Sequence, residues 1–183
     1  MLELATPYGE DDTVLVLFPP ASVPVVDIFR ILGDFEEHYD VTALDVLEER
    51  LAAYMSPELA KGIVSDALLL AFGLRRERRE SMAYGRLESR RGTADECRLL
   101  ALLAASCRHD FDLAEQVAAS LSVAHSRPVV ALAFDIARRL EAAGLRLDVP
   151  DRRLIGPASV SVDVEVHAER VQGRPDRRLK NDG

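Results

Sequence analysis

Cys97, Cys107, His109, Asp110 and Asp112 form the main grouping of metal-ligating side-chain types in the sequence. Zinc takes thiolates and imidazoles in a tetrahedral array, so Cys107-x-His109 offers two ligands. Cys97 lies ten residues before Cys107, about three turns away if the stretch is one helix. The plainer reading, which we favour, is two small buried thiols followed by a polar turn. A disulfide is not expected: ten helical residues span about 15 Å, and the bond needs Cα atoms within about 7 Å. Two reduced thiols suit a reducing compartment. No catalytic residue and no metal ligand is assigned.

Charge offers a second kind of chemistry. Residues 1–60 carry 13 acids against Arg30 and Arg50, a net of −11. Asp34, Glu36, Glu37 and Asp40 flank His38. If a helix ends there, these acids sit at its negative pole and favour a cationic neighbour. They form a candidate acidic partner surface. Calcium ligands would alternate through a loop with a turn glycine, and that pattern is missing. Residues 75–92 hold seven arginines against three acids, a net of +4. On a continuous helix Arg75, Arg79, Arg86 and Arg90 share one side, and their guanidinium groups could fork onto phosphates or carboxylates. They are the candidate anion- or partner-binding set. Tyr84 is the one aromatic in the run, so the interleaved aromatics of single-strand binders are absent. The bland alternative is a solvated connecting segment.

The sequence has no glycine-rich dinucleotide turn, Gly-Lys-Ser/Thr loop, Gly-x-Ser-x-Gly, Cys-x-x-Cys or His-Glu-x-x-His. No cofactor is expected. The 183 residues carry a net charge of −8, which disfavours non-specific nucleic-acid binding by the whole surface. Basic residues are 21 Arg and 2 Lys, with Asn181 the single Asn, a bias suited to a high-GC bacterial coding habit. The first residues lack a basic-then-apolar leader, and no apolar run reaches the roughly 18 residues of a membrane span. A cytoplasmic protein is expected.

These groups need a scaffold. Thr13–Phe18 reads as a buried strand stopped by Pro19-Pro20. A helix follows from Ser22, with Val25, Phe29 and Leu32 at helical spacing. Residues 41–46 suit either a strand or a helix start, and we lean to the strand, which gives a β-α-β-like opening. Ser56-Pro57 is an N-cap with proline in the first turn, leading a helix that Gly73 should stop. Thr93 and Glu96 form a capping box before the apolar 97–105 run, a central buried helix. Asp112 and Glu115 approximate another cap pair. Pro128 opens a last helix, and Gly144 closes it. Ser159–His167 alternates valine with polar residues, a half-exposed strand.

Thr13–Val46 resembles the opening of a response-regulator receiver domain: strand, helix, strand, with Tyr39 before the second strand. Phe18-Pro19-Pro20 replaces that family's acidic metal-binding residues, which implies a receiver-like module without the usual phosphorylation. Leu113–Leu145 followed by 146–166 is similar to a winged helix-turn-helix. That resemblance implies DNA binding by the second helix, although its opening Val129-Val130-Ala131-Leu132 is a poor set for reading base edges.

The expected fold class is α+β and predominantly helical: five or six helices packed with a small sheet, comprising the N-terminal opening and a C-terminal strand. Residues 1–170 read as one globular domain and 171–183 as a polar, disordered tail. The expected function is that of a non-enzymatic bacterial adaptor or regulatory protein. Its partner is another protein, or a second copy in a homodimer through the valine-faced strand. No membrane partner is expected. Two alternatives stand beside this. One is a DNA- or RNA-binding regulator using 75–91 or the C-terminal helices. The other is a small enzyme or metal protein using Cys107 and His109.

Overall fold

The computed structural model describes residues 16–38 and 40–148, with the side chains of Asp34, Glu36 and Glu37 outside that description. Among the described residues the fold is predominantly helical, with six helices and a two-stranded antiparallel sheet near the N-terminus. Strand β1 (Val16–Leu17) leads through one 3-10 turn (Pro20–Ser22) into α1 (Val23–His38). Helices α2 (Thr42–Ala52) and α3 (Pro57–Glu77) follow, then β2 (Arg91–Gly92), α4 (Ala94–Cys107), α5 (Phe111–Ser120) and α6 (Ser126–Ala142).

Helix α4 is the centre. Every residue from Leu99 to Ser106 is buried, as expected of a helix apolar on most sides. It packs against α5 and α6, while α3 packs against α6 and α2. Its entry is the capping box: Thr93 Oγ1 accepts from the Glu96 backbone at 3.1 Å, and Glu96 Oε2 accepts from the Thr93 backbone at 2.8 Å. Ser56 caps α3 through Leu59 N–H, with Pro57 in the first turn.

The sequence reading needs correction at several points. Residues 42–46 are helical, as the first turn of α2. Leu44, Leu47 and Leu51 recur at helical spacing and turn inward, and Asp40 accepts from Thr42 N–H at 3.0 Å and Thr42 Oγ1 at 2.7 Å. The partner of β1 is β2, with Val16 opposite Gly92 and Leu17 opposite Arg91. The parallel β-α-β opening of a receiver domain is therefore not what these residues build. Helix α3 runs past Gly73 to Glu77. Gly73 instead marks a close approach to α6, since a Cβ there would lie 3.0 Å from Leu132 Cδ1. Asp110, not Asp112, caps α5, accepting from Leu113 N–H at 3.1 Å.

Two helices end on a left-handed residue, one of them the expected glycine. Gly144 closes α6 at φ +72. Its N–H donates to Glu141 O and that of Leu145 to Leu140 O, which is the Schellman arrangement. His109 plays the same part after α4 at φ +54, with His109 N–H on Ser106 O and Asp110 N–H on Ala105 O. A side chain in this left-handed region costs about 1–2 kcal/mol relative to glycine.

The expected C-terminal strand at 159–167, the wing at 146–166 from residue 149 onward, and the tail at 171–183 lie outside the described residues. So do residues 13–15 of the first strand.

Candidate partner-binding groove

The connection from α3 to α4, residues 78–93, has little regular structure, yet several of its backbone groups are hydrogen-bonded. They are paired by charged side chains reaching out of helices. Arg30 on α1 is buried, and all five of its N–H donors are used. Nε donates to Glu96 Oε1 at 2.7 Å, and Nη2 donates to Glu96 Oε2 at 3.2 Å and Arg91 O at 3.1 Å. Nη1 donates to Asp27 Oδ1 at 3.0 Å and Ser89 O at 2.9 Å. Glu96, 0% exposed, also accepts from Gly85 and Thr93 N–H, which fills the four acceptor sites of a carboxylate. Asp27 accepts from Glu88 N–H through both oxygens, at 3.0 and 3.1 Å. Burial alone would lower the Arg30 pKa. The hydrogen bond and charge of Glu96, then those of Asp27, outweigh it and raise the pKa, so the guanidinium stays charged.

A second clamp lies at the other end of the segment. Arg78 donates to Leu121 O at 2.6 Å and to Asp95 Oδ2 at 2.8 Å, and the same oxygen accepts from Ala83 N–H. Arg90 Nε donates to Phe18 O at 2.9 Å. The arginine-rich stretch is thus partly an internal tie. Since α3 ends at Glu77, the expected shared helical side of Arg75, Arg79, Arg86 and Arg90 does not form. Arg75 sits in the last turn of α3, and the other three sit on the irregular segment. All four are exposed.

Clamping this segment builds one wall of a groove. The groove has a volume of about 510 Å³ and lies between the first turns of α1 and the end of α2. Val23, Pro24, Ile28, Leu47 and Leu51 give it an apolar floor, and Tyr54, Arg50 and Glu88 also line it. Tyr54 is 64% exposed. Arg50 Nη2 and Glu88 Oε1 pair at 3.0 Å, with side chains 41% and 72% exposed. Glu88 has φ +60, in a turn closed by Ser89 N–H on Arg86 O and fixed by Asp27.

Of the acidic set, Asp34, Glu36 and Glu37 fall in the last turns of α1, and their side chains lie outside the described residues. Asp40 is exposed, and the Thr42 hydroxyl, then the Thr42 N–H, hold its carboxyl below the usual range. Cys107 and His109 do not converge on a ligand site. Burial first, then the charge of Glu141, pushes the Cys107 thiol up to about 11, so it is protonated at neutral pH. His109 stacks on Phe134, as does Phe111 at 4.3 Å. Among the described residues no group of three or more His, Cys, Asp and Glu could hold a metal ion, and no helix is long and apolar enough to cross a membrane.

Sequence reasoning missed Arg30, Asp27 and the groove. One signal was present: Asp27-x-x-Arg30 interrupts the apolar stretch from Val25 to Leu32, and a charged pair at that spacing inside a core-facing helix needs a buried partner.

No protein-family model, curated protein or solved structure matches the chain. What stands is a small, mostly helical protein with a clamped connecting segment beside an apolar groove.

Proposed function

We propose that this protein is a non-catalytic bacterial adaptor or regulator that acts by protein–protein contact, with the α1–α2 groove as its contact surface. The observation that carries the reading is the groove itself. It joins an apolar floor to an exposed tyrosine and an exposed ion pair at its edge. Interface cores favour aromatic anchors beside apolar pockets, rimmed by polar groups. A wall fixed by buried charges keeps the surface pre-organised, which reduces the ordering cost of binding.

Affinity capture from cytosolic extract, comparing wild type with Ala53→Arg, tests this. Ala53 is exposed at the end of α2 and lines the groove, so the arginine obstructs it without entering the core. Partners held by wild type and lost by Ala53→Arg are the expected result. An unchanged partner list overturns the reading. A parallel Arg75→Gln/Arg79→Gln/Arg86→Gln variant probes the arginine surface while sparing the structural Arg78 and Arg90. Partner loss confined to that variant would move the contact surface there.

A further inference from the structure

We infer that the loop from Gly85 to Gly92 is a second contact surface, on which Arg86, Arg90 and Arg91 hold an acidic, partly apolar segment of another protein. This goes beyond the groove and does not depend on it. The backbone of the loop is engaged with the protein itself. Gly85 N–H donates to Glu96 at 2.9 Å and Glu88 N–H to Asp27 at 3.0 Å. Ser89 O and Arg91 O accept from Arg30, Arg90 O accepts from Phe18 N–H at 2.8 Å, and Arg91 N–H donates to Ser89 Oγ at 3.0 Å. With these polar groups turned inward, the loop holds its long side chains outward on a fixed frame. Arg86, Arg90 and Arg91 are all exposed.

The described carboxylates around the loop already have counter-ions. Asp27 and Glu96 pair with Arg30, Asp95 with Arg78 and Arg98, and Glu88 with Arg50. Residues 16–22, which lead past the loop into α1, contain no acid, and the first turn of α1 adds none. Among the described residues no ion pair engages Arg86, Arg90 or Arg91. Arg90 gives its Nε to the Phe18 carbonyl and remains charged towards solvent. Three like charges within six residues repel one another on a frame that cannot spread them. A partner's carboxylates relieve that repulsion, and each guanidinium fork matches one.

Two apolar side chains share the patch. Leu87 is 42% and Leu17 65% exposed. Leu17 stands directly opposite Arg91 in the β1–β2 pair, which puts the two side chains on one face of the ribbon. Carboxylates together with apolar contacts describe a protein segment. A single-stranded nucleic acid stacks its bases on exposed rings, whereas Tyr84, beside the loop, is half-buried with its ring against Gly33.

The test reads fluorescence anisotropy of three labelled probes against the full chain: a leucine–glutamate peptide, its leucine–lysine counterpart and a single-stranded DNA oligonucleotide. The glutamate peptide should bind saturably at low salt and more weakly at high salt, while the lysine peptide should not bind. Arg86→Gln/Arg91→Gln should weaken the glutamate peptide about tenfold, the scale of two exposed charge pairs, with Tm unchanged. Leu87→Ser should weaken it about threefold through lost apolar contact. Arg79→Gln, outside the loop, should change it less than about twofold, because solvent and salt screen a distant charge.

No saturable binding of the glutamate peptide, or tighter binding of the lysine peptide or the oligonucleotide, would overturn the inference. So would an affinity indifferent to Arg86→Gln/Arg91→Gln or to Leu87→Ser, a weakening that tracks a fall in Tm, or an equal weakening by Arg79→Gln, which marks diffuse attraction. Ala53→Arg obstructs the groove alone and should not weaken the peptide. Loss of binding in that variant would move the peptide into the groove and strike the loop as its site, while leaving the groove reading in place.

Discussion

Replacing Arg30 with methionine removes a saturated guanidinium and leaves its partners in place. Methionine fills much of the space but offers nothing to Glu96, Asp27, Ser89 O or Arg91 O. Two buried carboxylates then remain without a counter-charge, each retaining only backbone N–H donors. Breaking a buried pair on one side costs about 3–5 kcal/mol. For a protein of this size each kcal/mol moves Tm by about 2–4 °C, so Arg30→Met should lower Tm by about 10 °C. Urea unfolding at pH 7 gives the free-energy difference, and circular dichroism gives Tm. The triple variant Asp27→Asn/Arg30→Met/Glu96→Gln removes the charges with their partner and should recover at least half of the loss. Arg30 is shielded from salt, so the Arg30→Met deficit should persist at high ionic strength. A loss below about 1 kcal/mol, which is the scale of an exposed pair, would refute the claim that this cluster holds the 78–93 segment. A triple variant less stable than the single one would refute the assignment of the cost to unpaired charge.

Three further outcomes are expected. Gly92→Ala should cost about 1–3 kcal/mol by urea unfolding, because the new Cβ would run into the buried Phe18 ring and lie 2.8 Å from Glu96 Oε2. A near-neutral result would mean that Phe18 can move aside. The Cys107 thiol, held at about 11, should react with a disulfide reagent at pH 8 at least a hundredfold more slowly than an ordinary thiol of pKa about 8.5. Its rate should climb about tenfold per pH unit towards pH 10, and a rate at pH 8 matching a free thiol would contradict the burial. The Glu77 carboxyl is held down, chiefly by its hydrogen bond to His125. Its folded pKa therefore lies below its unfolded value of about 4.3. The stabilisation is present above that pH and fades as pH falls through the folded pKa. In a carboxyl NMR titration His125→Ala should move Glu77 upward, and an unmoved titration would sink this assignment.

What the sequence disclosed was local. Ser56-Pro57 and Thr93-x-x-Glu96 announced their helix starts because caps act within one turn. The apolar run after Cys97 announced a central helix for the same reason. Residues 41–46 misled because Val41, Val46 and Thr42 favour strands, while the burial of Leu47 and Leu51 against α1 and α3, which decides the matter, is tertiary. Gly73 misled because a glycine can end a helix or admit a neighbour, and only the approach of Leu132 tells which. The arginines were legible as charge but not as geometry. Arg78 and Arg90 turn to backbone carbonyls 43 and 72 residues distant in the chain. Their exposed neighbours carry no sign in the sequence that separates them from these two. The groove was invisible for a related reason: its floor comes from α1 and α2, but its far wall is Glu88, placed by Asp27 from 61 residues away.

The ion pair of Arg30 and Glu96 also bears on synthesis. Its two halves are 66 residues apart, so at about 5–20 residues per second the arginine leaves the ribosome several seconds before its acid does. Until then the first helix carries a hydrated cation on the face it will later bury, and β1 has no strand to pair with. The nascent chain therefore cannot seal its front half early. Closure waits for α4, and truncations ending before residue 96 should remain open to protease at the 78–93 segment that these side chains fasten in the finished molecule.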